Sequence, residues 1–330
     1  QKLDEELSGA GKGDVIDSEK KNTADFALWF FKKGAHTNAL QTWQSPWGEG
    51  FPGWHIECSA MSKALLGPTL DLHMGGVEHI PVHHTNEIAQ SEAANGVKFV
   101  NYWVHNEHLI VDDSKMAKSS GTSYCVQDIT DKGFDPLVLR YFYLQAHYRS
   151  KQNFTWEALS ASQNALENLY QIVFAVNYLC HSRPVTEYGV NSSGNLVQSN
   201  GSRVKPGMTT QKTRDDSEWK IRFRQALEDD FNIPAALAVL WDLLNSQESA
   251  EAKLSLALEF DNVLGLRMEK ILDITIPSDV TRLGEIRKKL RKGKKFEEAD
   301  KVRDQIESFG YEVEDGGKEV VIRPRKILIN

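Results

Sequence analysis

The sequence predicts an α/β domain followed by an all-α bundle and a small C-terminal α+β module. Three observations carry that prediction. Over residues 54–121, short apolar runs such as Leu109-Ile110-Val111 alternate with helix-like stretches and glycine breaks, as in a layered α/β unit. From about Asp135 the apolar residues recur at helical spacing. The last fifty residues turn basic and end in two short β-like runs around a Gly-Gly turn. At 330 residues the chain exceeds what one hydrophobic core usually serves.

In order along the chain, the first forty residues are polar apart from an aromatic knot at Phe26–Phe31. Trp43 to Gly53 is rich in Pro, Gly and Trp and reads as a rigid, turn-rich loop. Pro81 suits the first turn of a helix running through His83, Thr85 and Ala89. Leu137, Leu139, Tyr141, Phe142 and Leu144 open the helical region, and Leu159, Leu166, Leu169, Ile172 and Val173 continue it. Residues 183–216 are rich in Ser, Asn, Gly and Thr and read as a flexible insertion. Helical periodicity resumes at Trp219 and runs through Leu266, with Pro234 as a helix start. A last helix is expected over Phe296–Ser308, then a hairpin of Tyr311–Glu314 and Glu319–Ile322. This divides the chain into domains 1–125, 126–275 and 276–330.

Composition excludes several function classes. A 40% hydrophobic share is too high for a disordered chain, and no run of 18 apolar residues offers a membrane span. Three cysteines, Cys58, Cys125 and Cys180, are too few and scattered for a disulfide scaffold. A reduced, cytoplasmic protein is expected. The net charge is −7, yet Arg282 to Lys295 holds eight basic residues and a single Glu. Such a local positive stretch is either a solvated helix face or a footprint for a nucleic-acid backbone.

Chemistry concentrates in Asp71–Asn95, where His73, His79, His83 and His84 fall within twelve residues. His83 and Glu87 are four apart and share a helix face, so imidazole and carboxylate can meet one ion. Cys58, 25 residues upstream of His83, offers a thiolate. Cys, His and Glu together suit Zn²⁺, which accepts S, N and O ligands. His79, four residues before His83, is a rival ligand. Downstream, Lys115 and Lys118 flank Met-Ala and precede Ser-Ser-Gly, a cationic loop able to contact phosphates.

These pieces, in this order, resemble cysteinyl-tRNA synthetase. The resemblance rests on GWHIECSAM (53 to 61), DLHMGGVEHIPVHHTNEIAQS (71 to 91), NYWVH (101 to 105), KMAKSSG (115 to 121) and HYRS (147 to 150). EDDFNIPAAL (228 to 237) and FEEADKVRDQIESFGYEVEDG (296 to 316) resemble the same family's tRNA-binding portion. The resemblance implies a partial Rossmann-type class I synthetase catalytic domain, then a helical bundle on the tRNA stem and an anticodon-binding module. It implies cysteine activation by ATP with Mg²⁺, then transfer to the cysteine tRNA, by a monomer. By the same resemblance Cys58, His83 and Glu87 hold Zn²⁺, which selects the cysteine thiolate. Trp54, His73 and Glu78 contact the substrate, and Gly75 and Gly76 lie against ATP. Lys118, assisted by Lys115, stabilises the departing pyrophosphate, while Arg287, Lys288, Lys289 and Arg291 meet tRNA phosphates.

Three departures stand out. Ala117 replaces the first Ser of the family's Lys-Met-Ser-Lys-Ser loop, and Glu78 replaces an aspartate. The His-Ile-Gly-His signature is absent, and with it an early Cys that supplies a fourth zinc ligand. The expectation is therefore a C-terminal portion, with that ligand in a missing N-terminal part. The alternatives are a mycothiol-pathway type cysteine ligase, which shares the catalytic core, and a non-catalytic tRNA- or zinc-binding fragment.

Overall fold

The computed structural model describes residues 21–22, 25–116, 121–181, 188–190, 196–198, 217–316 and 319–327. Contacts divide the chain into two compact units, Gln1–Ile110 with Tyr148–Asn153, and Val111–His147 with Phe154–Asn330.

The first unit opens with strands β1 (Trp29–Phe31) and β2 (Gly50–Pro52), paired antiparallel. The Trp43–Gly53 segment is thus not all loop: it closes back on the aromatic knot, and Trp43 bridges Gly50. Gly50 is required there, because a Cβ would collide with the Phe30 carbonyl and the Trp29 indole nitrogen. Helix α1 (Trp54–Leu66) follows at once. Its N-cap, Gly53, donates to the Leu28 carbonyl at 2.9 Å and lies so close to the Ala27 carbonyl that a side chain would not fit.

Strand β3 (Leu70–Gly76), helix α2 (Thr85–Asn95) and strand β4 (Val100–Asn106) form a β-α-β unit with the strands parallel, Leu70 opposite Val100 and Gly76 opposite Asn106. Leu70, Phe99 and Val100 are its core, with Ile88 and Trp103 packed on them. The helix expected to start at Pro81 begins instead as a wider π turn, Ile80–His84, before regular α geometry takes over at Thr85. Such turns cluster at functional sites, and this one turns the consecutive His83 and His84 both inward.

Strands β5 (Leu109–Val111) and β6 (Ser114–Lys115) are joined by Asp112-Asp113, both in the left-handed region at φ 48° and 59°. The second unit is mostly helical: α3 (Val126–Asp131), α4 (Pro136–Leu144), α5 (Trp156–His181), α6 (Glu218–Glu228), α7 (Ile233–Asn245) and α8 (Ala250–Leu264). Strand β7 (Gln152–Phe154) interrupts the helical run. The helix starts are chemically marked. Asp135 accepts from Leu137 N at 2.7 Å ahead of Pro136, and Asn232 accepts from Ala235 N at 3.2 Å ahead of Pro234.

Leu159, Leu169, Val173, Leu240, Leu243, Ala257 and Leu264 are fully buried between these helices, and Phe223 stacks on Phe260 with ring centres 4.0 Å apart. Below α8, Asp261 closes the chain reversal by accepting from Leu266 N and Met268 N, each at 2.7 Å.

Most of the 183–216 insertion lies outside the described residues; Tyr188–Val190 (β8) and Leu196–Gln198 (β9) pair antiparallel within it. The chain ends in helices α9 (Ser278–Lys292) and α10 (Phe296–Ser308) and the antiparallel pair β10 (Tyr311–Gly316) and β11 (Glu319–Pro324). Val280, Ile306, Val313 and Ile322 form their core. Among the described residues no helix is long and apolar enough to cross a membrane.

Candidate metal centre and surrounding residues

Two i,i+4 pairs build the centre. Trp54 and Cys58 share a face of α1, while His83 ends the π turn's inward face and Glu87 follows one turn later on α2. Gln90 ties the two helices together, its amide nitrogen donating to the His55 carbonyl at 2.5 Å and to Ser59 Oγ at 2.6 Å. As a result the Cys58, His83 and Glu87 ligand atoms all lie within 4.8 Å of one another. His79, the rival, does not join this group. Its ring packs edge-on to Trp54 and its Nδ1 is buried without a hydrogen-bond partner.

The electrostatics suit a cation. Glu87 is completely buried, which lifts its carboxyl to about pH 7, and its Oε1 has no hydrogen-bond partner. Burial, reinforced by neighbouring imidazoles, drops His83 to about 4 and His84 to about 3. Burial and then the Glu87 and Glu57 carboxylates raise the Cys58 thiol. These histidines are therefore neutral near pH 7, with lone pairs to give. A divalent ion would deprotonate the thiol and the carboxyl and satisfy the orphaned oxygen. The donor set S, N and O is one that Zn²⁺ takes.

The neighbours orient the ligands. His83 Nδ1 lies 2.9 Å from His55 Nδ1, which leaves His83 Nε2 facing Glu87 at 3.7 Å. Trp54, 57% exposed, lies over the His83 ring at 4.2 Å and walls the open side. His73 Nε2, on the residue expected against substrate, lies 3.1 Å from Glu87 Oε2. Glu78 is exposed and 3.6 Å from His108 Nε2.

The two glycines serve side chains of this chain. A Cβ at Gly75 would strike the His84 and His79 rings, and one at Gly76 would strike the Glu78 carboxyl. A second group, His73, His84 and Glu87, also has its ligand atoms within 4.8 Å of one another. Sequence spacing missed it. The signal available was the His-His pair after Pro81, with His73 on the strand ahead of it.

Away from the centre, Lys115 is exposed at the end of β6, and Lys118 lies outside the described residues. On α9, Lys289 and Arg291 are exposed and Lys288 is half-buried. Arg287 corrects the expected basic face. It is 1% exposed, because Val280, Gly284 and Arg287 share the buried side of the helix, so its guanidinium is not available to a phosphate.

Residues 1–164 match the family model described as the tRNA synthetases class I (C) catalytic domain, and residues 222–269 match a DALR domain. Curated relatives named cysteine–tRNA ligase align along nearly the whole chain. One from Treponema denticola is 37% identical over 93% of this chain and 63% of its own length. One from Burkholderia lata is 40% identical over 90% and 56%, and one from Symbiobacterium thermophilum is 38% identical over 95% and 64%. The chain thus spans about three-fifths of the length of the relatives it matches.

Proposed function

Because this chain belongs to the cysteine–tRNA ligase family, we propose that it carries the cysteine-selecting part of such an enzyme: ATP-dependent activation of cysteine and its transfer to the cysteine tRNA. The observation that carries the reading is the convergence of Cys58, His83 and Glu87 within 4.8 Å around a buried carboxyl oxygen that lacks a partner. Bound there, Zn²⁺ supplies a borderline-soft Lewis acid that favours a thiolate over a serine hydroxyl.

The chain's own residues do the rest in this reading. Cys58, His83 and Glu87 hold the ion, and His55 keeps His83 Nε2 pointed at it. Trp54 covers the His83 ring and bounds the space for a small side chain. Glu78, exposed beside His108, would meet the amino group of the substrate in this reading, with one methylene more than the family's aspartate. Lys115 and Lys118 offer cations to the phosphates of ATP and to the charge that builds on leaving pyrophosphate. Gly75 and Gly76 border the same strand end, and their part in ATP binding requires the His84 and Glu78 side chains to move aside. The division into 1–125 for catalysis, 126–275 for the tRNA stem and 276–330 for the anticodon belongs to the same reading. So do Lys288, Lys289 and Arg291 as phosphate contacts. The relatives named cysteine–tRNA ligase, which align over 90% or more of this chain, favour a tRNA substrate over the mycothiol-type alternative.

ATP–pyrophosphate exchange by the protein that contains this chain tests the reading. Cysteine should drive exchange and serine should not, and Cys58→Ala should abolish it. Equal exchange with serine, or full exchange by Cys58→Ala, would remove the proposed role.

A further inference from the structure

We propose that residues 324–327 form a strap that latches the C-terminal module onto helix α5 of the bundle and so holds the module in one orientation toward a tRNA. The orienting role rests on the tRNA reading of the module; the strap itself does not. The linker supplies only one connection. After α8 the chain makes a 3₁₀ turn, Met268–Asp273, and residues 274–277 alone separate that turn from α9. The turn is anchored on the bundle, with Met268 and Ile271 fully buried and Tyr170 Oη donating to the Leu266 carbonyl at 2.8 Å. Ile276 packs on the module's own core. A few linker residues between two packed bodies make a hinge, and a second connection at another point removes its freedom.

The tail makes that second connection. It is first tied to the module. Pro324 pairs with Tyr311 at the end of β11, and Arg325 N donates to the Gly310 carbonyl at 2.8 Å. The Arg325 guanidinium meets Glu307 at 2.5 Å and Glu312 at 3.8 Å. The tail then crosses to the bundle. Gln171 of α5 donates its amide nitrogen to the Pro324 carbonyl at 2.5 Å. Ile327 is only 4% exposed, although it stands outside the module core of Val280, Ile306, Val313 and Ile322. It lines a small cavity with Val138 of α4 and with Leu166 and Tyr170 of α5, so the bundle covers it. Lys326, the one cation lining that cavity, shares it with Asp135 and Glu167. One short segment thus offers the bundle an apolar anchor, a backbone acceptor and a charge opposite in sign to its neighbours.

Electron–electron double resonance tests the strap, with spin labels carried by keto amino acids at exposed Glu228 on α6 and Lys301 on α10, so that the native cysteines stay unlabelled. The unmutated tail should give one narrow distance distribution. Ile327→Asp puts a charge into the buried site and should broaden it, Gln171→Ala should broaden it less, and Ile327→Leu should keep it narrow. Unchanged helical circular dichroism shows that bundle and module remain folded in each variant. A distribution that stays narrow in Ile327→Asp would overturn the strap. A released module holds the binding pose only part of the time, so Ile327→Asp should also weaken binding of a fluorescent cysteine tRNA by about tenfold. Unchanged tRNA affinity with a broadened distribution would overturn the orienting role. No tRNA binding by the unmutated protein would strike the tRNA reading and the orienting role together, with the distance widths still deciding the strap.

Discussion

His55 has no place in the ligand set, yet its removal should weaken metal binding measurably. Its Nδ1 lies 2.9 Å from His83 Nδ1, and Trp54 stacks on both rings. With His83 only 5% exposed, His55→Ala leaves a ring nitrogen without its partner in a nearly dry site. An unmet buried donor costs about 1–3 kcal/mol. The freed ring also loses the constraint that aims Nε2 at Glu87. Loss of an outer-shell partner to a ligating histidine lowers metal affinity by about 10- to 100-fold, which is about 1.4–2.7 kcal/mol at 25 °C. His55→Asn places an amide oxygen near the position of Nδ1 and should recover most of the loss. The assay is zinc competition against a chromophoric chelator, with the dissociation constant as readout. Equal zinc affinities for wild type and His55→Ala would refute the reasoning. So would His55→Asn behaving as poorly as His55→Ala, because the effect would then follow from lost packing.

Other outcomes follow from the same geometry. Asp261→Ala strands the buried Leu266 and Met268 amides and should cost about 2–4 kcal/mol in urea denaturation, after allowing for relief of a carboxyl that burial already raises. Asp261→Asn keeps one acceptor and should cost less; equal stability of all three proteins would contradict the capping role. Lys289→Ala should weaken tRNA binding and flatten the slope of log affinity against log salt by about 1, while leaving the melting temperature alone. Arg287→Ala should do the reverse, lowering the melting temperature with the salt slope unchanged, since the side chain is interior. An unmoved melting temperature would contradict that placement.

Legibility in the sequence followed the range of the interaction. The Cys58–His83–Glu87 group was readable because one i,i+4 spacing put two ligands on a helix and the third residue type completed a zinc-like set. The helix start at Pro234 and the helical onset near Asp135 were readable for a similar reason, from local residue type and spacing, and the Asn232 and Asp135 caps mark both in the structure. The second histidine group was not. His83 and His84 are neighbours in sequence, so no i,i+4 spacing pairs His84 with a further ligand, and the pair turns inward together at the π turn. His73 joins them because β3 lies parallel to β4 beneath α2, a long-range fact. Strand β2 escaped notice because Gly50 and Pro52 carry no strand signal of their own; pairing with Trp29–Phe31 creates it. Arg287 was misplaced by counting charge along α9 instead of reading its face. Val280, Gly284 and Arg287 at i, i+4 and i+7 mark the buried stripe.

The sharpest test is X-ray absorption at the zinc edge on the zinc-loaded protein, with cysteine or serine added. Sulfur ligation from Cys58 should be present before any amino acid is added, and cysteine should add one further sulfur while serine adds none. A zinc shell with no sulfur, or one that cysteine leaves unchanged, would contradict the central claim.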